Sequence, residues 1–306
     1  MKFGVSLNSN DSISESVKKS IELEHLGLDY VWVSDLPSQR YAPAVCAAIA
    51  QVTSKIRIGL GLISILLHKS QQIASSLTTL IESYGPRFDL CIGPGDRDEL
   101  YKVGIDLKDH KNIVQSLLNS RKEISTLLQK RGIESRIWLG AQGPKLLRSV
   151  SSFDGVLLNY SSIEMIKWAL KIIKEEDIDL PRSIGIFSPS YVYKKINPKI
   201  QNMLHYASAV VALGTSKVVL KEFLLDQDLE PAIIKYRSKS LDESVLSLIP
   251  QDIIKKFSIF ISQDEFPKYI NELKNLGVEH VAFSYPQGYS IETIKELSEG
   301  LSRLQK

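Results

Sequence analysis

The chain has 306 residues, of which 43% are hydrophobic and 24% charged, and its formal net charge is +3 at neutral pH. That composition fits a globular protein with a large core, and no Lys/Arg block marks a nucleic-acid surface. The longest apolar run, Ile58–Leu67, contains Gly59, Gly61 and Ser64 and is too short to cross a bilayer.

In chain order, Lys2–Leu7 reads as a short strand. Ser12 and Glu15 form a capping box, and Ile13, Val17 and Ile21 recur at helical spacing until Gly27 stops the helix. Tyr30–Asp35 is a buried strand, Tyr41–Val52 a helix, Ile56–Ser64 a strand, Gln71–Ser83 a helix and Arg87–Asp96 a strand. A long amphipathic helix, Asp109–Arg131, carries Ile113, Leu117, Ile124 and Leu128 and ends at Gly132. Ile137, Trp138 and Leu139 form the next strand, which runs into Gly140, Gly143 and Pro144; Leu146, Leu147 and Val150 then begin a helix. Phe153–Asn159 is a strand, and Ser161 with Glu164 boxes the helix after it. Ser183–Tyr193 and His280–Pro286 are the seventh and eighth strands, and a helix at Ile291–Leu304 closes the chain.

Apolar strands alternating with helices predict a parallel sheet covered by helices, and eight of them predict an α/β fold closed as a (β/α)8 barrel. Lys194–Glu279 is expected to be a helical insertion between the last two strands, and residues 1–306 a single domain. Cys46 and Cys91 lie in apolar surroundings and are expected to be buried thiols in a reducing compartment. With no signal-peptide pattern at Met1–Asn10, a cytoplasmic location is expected.

In such a barrel the chemistry sits at the C-terminal ends of the strands. Those ends carry Ser6 and Asn8, Asp35, Ser64, Gly93–Asp96, Gly140–Gly143, Asn159, Ser188–Ser190 and Ser284–Pro286. Asp35 and Asp96 are the two carboxylates among them, each readable as an acid or as a helix cap. The turn Gly140, Ala141, Gln142, Gly143, Pro144, Lys145 combines glycines able to take positive φ, a helix start and a cation. That pattern suits an anion, and it equally describes an ordinary βα turn. No metal-ligand spacing, nucleophile elbow, P-loop or dinucleotide fingerprint is found in its proper context.

CIGPGD (Cys91–Asp96), LGAQGPKLL (Leu139–Leu147) and DGVLLN (Asp154–Asn159) resemble the luciferase-like barrel superfamily. More narrowly they are similar to its archaeal methylenetetrahydromethanopterin reductases, which use the deazaflavin coenzyme F420. The resemblance continues through YVWVSD (Tyr30–Asp35), Ser54–Ser64, Tyr206–Leu220 and Phe257–Gly288. It implies a cofactor across the C-terminal mouth, F420 or alternatively FMN, whose phosphate-bearing side chain meets Gly140, Ala141, Gln142, Gly143 and Lys145. It also implies a non-prolyl cis peptide at Gly61–Leu62 behind the ring, with Asn159 close to cofactor or substrate. The implied reaction is hydride transfer to a pterin-bound one-carbon group, from the 5,10-methylene to the 5-methyl level. The implied partners are a small-molecule pterin and a second copy of the chain in a homo-oligomer, with no nucleic acid and no membrane.

The chain also departs from those reductases. Their first strand reads Phe-Gly-Ile-Glu, the glutamate being implied as general acid, whereas here FGVS puts Ser6 in its place. Their Asp-His after the second strand becomes Asp35–Leu36, and their TRHP-like turn becomes LLHKS, with His68 and Lys69. Arg97–Arg136 is shorter than its counterpart. A serine hydroxyl cannot deliver a proton as a carboxylic acid can, so Asp96 is expected to serve as the acid, facing the mouth. Asp35, lacking its neighbouring histidine, comes second. Two further readings stay open: a flavin-dependent monooxygenase, and a non-catalytic cofactor-binding homologue that has lost the acid.

Overall fold

The computed structural model describes residues 1–175, 183–238 and 241–305. Its strands are β1 (Lys2–Ser6), β2 (Tyr30–Val33), β3 (Arg57–Ser64), β4 (Phe88–Gly93), β5 (Ile137–Ala141), β6 (Gly155–Leu158), β7 (Ile184–Tyr193), β8 (Ile259–Ser262) and β9 (His280–Ser284). The parallel order β1-β2-β3-β4-β5-β6-β7-β9 closes on itself, with Lys2 opposite His280 and Val5 opposite Phe283. This is the eight-stranded α/β barrel that the alternation predicts.

Helices α1 (Ile13–His25), α2 (Ala42–Val52) and α3 (Ser70–Tyr84) follow the first three strands. Then come α4 (Arg97–Lys102), α5 (Ile113–Gln129), α6 (Pro144–Leu147) and α7 (Ile163–Glu175). After β7 lie α8 (Pro198–Gly214), α9 (Lys217–Glu222), α10 (Asp226–Ser238), α11 (Glu243–Leu246) and α12 (Gln251–Lys256); α13 (Phe266–Asn275) follows β8 and α14 (Ile291–Ser302) follows β9. Among the described residues no helix is long and apolar enough to cross a membrane.

Three local expectations are corrected. The insertion is not helical throughout: between α12 and α13, Ile259–Ser262 forms β8, which pairs with Ser190–Tyr193, the half of β7 that runs past its pairing with β9. A run of four residues is too short for its alternation to stand out beside helical neighbours. The box at Ser161 and Glu164 does not form. Ser162 caps α7 by accepting from the Met165 amide at 3.2 Å, while Ser161 donates to the Lys256 carbonyl at 2.9 Å. The long helix starts at Ile113, not Asp109, because Asp106 caps a separate 3-10 turn at Leu107–Asp109. The box at Ser12 and Glu15 forms as expected.

Strand alternation sorts the side chains into two cores. Val31, Val33, Ile58, Leu60, Leu90, Ile92, Leu139 and Val156 belong to the main cluster shared with the helices, whereas Tyr30, Trp32, Cys91, Trp138, Leu157 and Ala282 fill the barrel. Glycines leave room for the indoles. A Cβ added at Gly59 would lie 2.2 Å from Trp32 Cε3, and one at Gly155 would lie 2.4 Å from Trp138 Cε3. Cys46 and Cys91 are buried and unbonded, and burial pushes both thiols well above their ordinary pKa.

At the N-terminal ends of the strands a polar layer forms the barrel floor. Asp89 is completely buried and accepts from Tyr30 Oη at 2.8 Å, Trp138 Nε1 at 3.3 Å and Arg57 Nη2 at 2.5 Å; Arg136 Nε stands 3.6 Å away. His280 Nε2 accepts from Trp32 Nε1 at 2.9 Å.

Candidate active site

Above the indoles, the inward-facing strand ends are Ser6, Leu62, Gly93, Gly140, Asn159 and Ser284. None of them is a carboxylate. The Gly61–Leu62 peptide is cis, as the resemblance implies, and Tyr285–Pro286 is a second cis bond. Leu62 lies across two strands: a Cβ added at Gly93 or at Gly140 would sit 2.4 Å from its Cδ1. Ser6 is buried opposite Trp32, and Asn159 is partly exposed at the end of β6.

The turn after β5 differs from its expected conformation. Gly143 has φ −91° and ψ 157°, extended backbone that any residue adopts, and Gly140 lies within β5. What Gly143 supplies is space, because an added Cβ would find only Ser216 Oγ, 3.9 Å away. The turn is fastened on two sides. Gln142 Nε2 donates to Thr215 Oγ1 at 2.7 Å, and Tyr160 Oη donates to the Gln142 carbonyl. Pro144 opens α6 as expected. Lys145 is exposed beside the turn, and the Ala141 methyl packs into the main core while its carbonyl accepts from the Asn159 amide at 3.4 Å.

The two expected acids fare differently. Asp96 is exposed, and its Oδ1 accepts from the amides of Asp98 and Glu99 at 3.0 Å each, so it caps α4. It lacks the burial on which its selection as an acid rests. Asp35 is buried; Oδ1 accepts from the Ala42 amide at 2.9 Å, and Oδ2 lies 2.7 Å from His68 Nε2. The histidine missing from the adjacent position is thus supplied by the turn after β3. The half-kept LLHKS motif was the signal for it.

The family model of luciferase-like monooxygenases matches residues 1–280. The chain belongs to that family. A 5,10-methylenetetrahydromethanopterin reductase of Methanopyrus kandleri is 24% identical over 335 residues, spanning 97% of this chain and 96% of the relative. The Archaeoglobus fulgidus protein of the same name is 25% identical over 313 residues, 94% of each chain. The solved coenzyme F420-dependent tetrahydromethanopterin reductase from Methanopyrus kandleri aligns with a TM-score of 0.84 at 22% identity, over 99% of both chains.

Two features of this luciferase-like barrel escaped the sequence. First, α8 bridges the mouth. Lys199 near its start donates to Tyr289 Oη at 2.9 Å, in the loop after β9, while Thr215 just past its end holds Gln142, on the β5 side. Met203, Tyr206 and Val210 fall on one partly exposed face between these ties. Second, Asp11 and Lys19 form a buried pair at 2.7 Å, and Lys19 also donates to the Tyr289 carbonyl at 2.6 Å. This pair fastens the loop after β1 to the loop after β9. Burial pushes the Asp11 carboxyl up, although Lys19 opposes the shift.

Proposed function

We propose that the chain is a hydride-transferring reductase that binds deazaflavin F420 across the barrel mouth and acts on a pterin-bound one-carbon group. The observation that carries this reading is the open cradle at Gly143. It lies between Gln142, which Thr215 fixes, and Ser216, with Lys145 near, and it leaves room for an anion against backbone. The uncharged strand ends around Leu62, Gly140 and Asn159 suit a flat neutral ring. When bound, F420 gives or takes a hydride, and the chain's own part is to bind, orient and exclude water. The same proposal takes a pterin as substrate and a homo-oligomer as the working form.

Because no atom of the chain blocks a side chain at Gly143, Gly143→Val is expected to fold with an unchanged melting temperature. It should weaken F420 binding by about tenfold or more, since its branched side chain occupies the cradle. Absorbance and fluorescence titrations with F420 and with FMN check this. Binding as tight as the parent's removes the cradle from the site, and oxygen-dependent turnover with FMN favours the monooxygenase instead.

Within this reading the proton is held by the Asp35–His68 pair and not by Asp96. Asparagine caps a helix as well as aspartate does, so Asp96→Asn is expected to leave turnover within about twofold of the parent. His68→Gln is expected to lower it by about 10²-fold. The reverse pattern would return the role to Asp96. A parent that binds the cofactor and reduces no methylene-pterin would favour the non-catalytic homologue.

A further inference from the structure

We propose that Gly93 and Gly140 are positioning residues that act through Leu62: together they form a seat for its side chain, and the seated side chain sets how deeply a ring rests in the mouth. The second half of this statement rests on the reading that a ring cofactor lies there; the first half does not.

Gly93 and Gly140 stand on neighbouring strands, each one residue past the paired Ile92 and Leu139. A Cβ added at Gly93 would lie 2.4, 3.1 and 3.3 Å from Cδ1, Cγ and Cδ2 of Leu62. One added at Gly140 would lie 2.4 Å from the same Cδ1 and 3.6 Å from Cγ. A single methyl group therefore occupies the space that both missing side chains would fill. Escape downwards is closed. The layer beneath is packed by Cys91 and Trp32, both buried, and Cys91 Sγ itself is 3.6 Å from the added Cβ at Gly140. Interiors this dense shift side chains when a methyl is added, and the open direction for Leu62 is towards the mouth.

Gly140 lies inside a regular strand, so the backbone accepts alanine there and the obstacle is Leu62 itself. Gly140 thus has a different task from Gly143, although only two residues separate them in the sequence. At Gly143 the space faces outwards to Ser216, whereas at Gly140 it is already filled from within the protein.

A double-substitution cycle tests this, using the full-length protein and the variants Gly140→Ala, Gly93→Ala, Leu62→Ala and the two Leu62→Ala doubles. Thermal melting is read without cofactor; F420 affinity and the absorbance maximum of the bound deazaflavin are read by titration. Gly140→Ala and Gly93→Ala are each expected to weaken F420 binding about tenfold and shift its absorbance, because displacement by about 1 Å disturbs a fitted site. In the Leu62→Ala background the same glycine changes should alter affinity by less than about twofold, because no clash remains. Melting temperatures should show the same rescue. If either glycine substitution costs as much in the Leu62→Ala background as in the parent, the seat is wrong. If Gly140→Ala alone does not fold, a folded Leu62→Ala/Gly140→Ala double supports the seat and an unfolded one overturns it. A parent that binds neither F420 nor FMN would sink the cofactor reading and the ring-depth statement, while the melting cycle still decides the seat.

Discussion

Replacing Asp89 with alanine is expected to cost about 3 kcal/mol of unfolding free energy. The carboxylate is completely buried and accepts from three donors, Tyr30 Oη, Trp138 Nε1 and Arg57 Nη2, while the Arg136 guanidinium pairs with it at 3.6 Å. Removing it leaves two cations without a counter-charge and two buried donors without an acceptor. Arg57 Nε is already buried without a hydrogen-bond partner. Both arginines are partly exposed, at 31% and 45%, and can turn towards water, which keeps the cost at the lower end of the range for a broken buried pair. Asp89→Asn keeps the shape and an acceptor and should lose about half as much. Denaturant unfolding at neutral pH, with the slope unchanged, measures both. A midpoint for Asp89→Ala that matches the parent's would mean that the floor is held by packing alone.

His280 is buried among Tyr30, Trp32 and Trp138, and burial pushes its imidazole down to about 4 from an ordinary 6.5, against the opposing pull of Asp89 and Asp29. The unfolded chain therefore takes up a proton first as the pH falls. The stability that neutral His280 contributes is fully present above about pH 6.5 and is lost as the pH drops towards 4, about 3 kcal/mol in all. A proton on Nε2 would also expel the Trp32 indole donor that it accepts at 2.9 Å. In His280→Gln an amide oxygen can accept from the indole without titrating. Unfolding free energies measured from pH 7 to pH 4 should fall more steeply in the parent than in this variant. Parallel curves would show that His280 does not titrate in this range.

The barrel was readable because its signal is long and repeated: apolar strands, short turns and amphipathic helices in strict alternation. The cis bond at Gly61–Leu62 was readable through family register alone, since the glycines of β3 do not by themselves single out one peptide. The site was read less well, because its residues meet through space. Asp35 found its histidine thirty-three residues away, and Asp96 kept its motif while its carboxylate turned to cap α4. Gly140 and Gly143 look alike in sequence, yet one seats a leucine and the other leaves a cradle open. The floor, which sequence reading passed over, had a visible sign. Asp89 is a charge set inside the apolar strand RFDLCIG, while Arg57 and Arg136 stand where neighbouring strands begin.

The closure of the barrel has a consequence for how the chain is made. β1 gains β2 within its first thirty-odd residues, but its other partner is β9, where Lys2 meets His280 and the Lys2 amide donates to the Glu279 carbonyl. At roughly 5–20 residues per second, that neighbour emerges on the order of tens of seconds after β1 leaves the ribosome. Through that interval β1 presents an unpaired edge that any other extended segment can cap, a neighbouring nascent chain included. The seam is thus the last part of the barrel to be protected. A chain stopped short of β9 would remain an open, adhesive sheet however well its first seven βα units had packed.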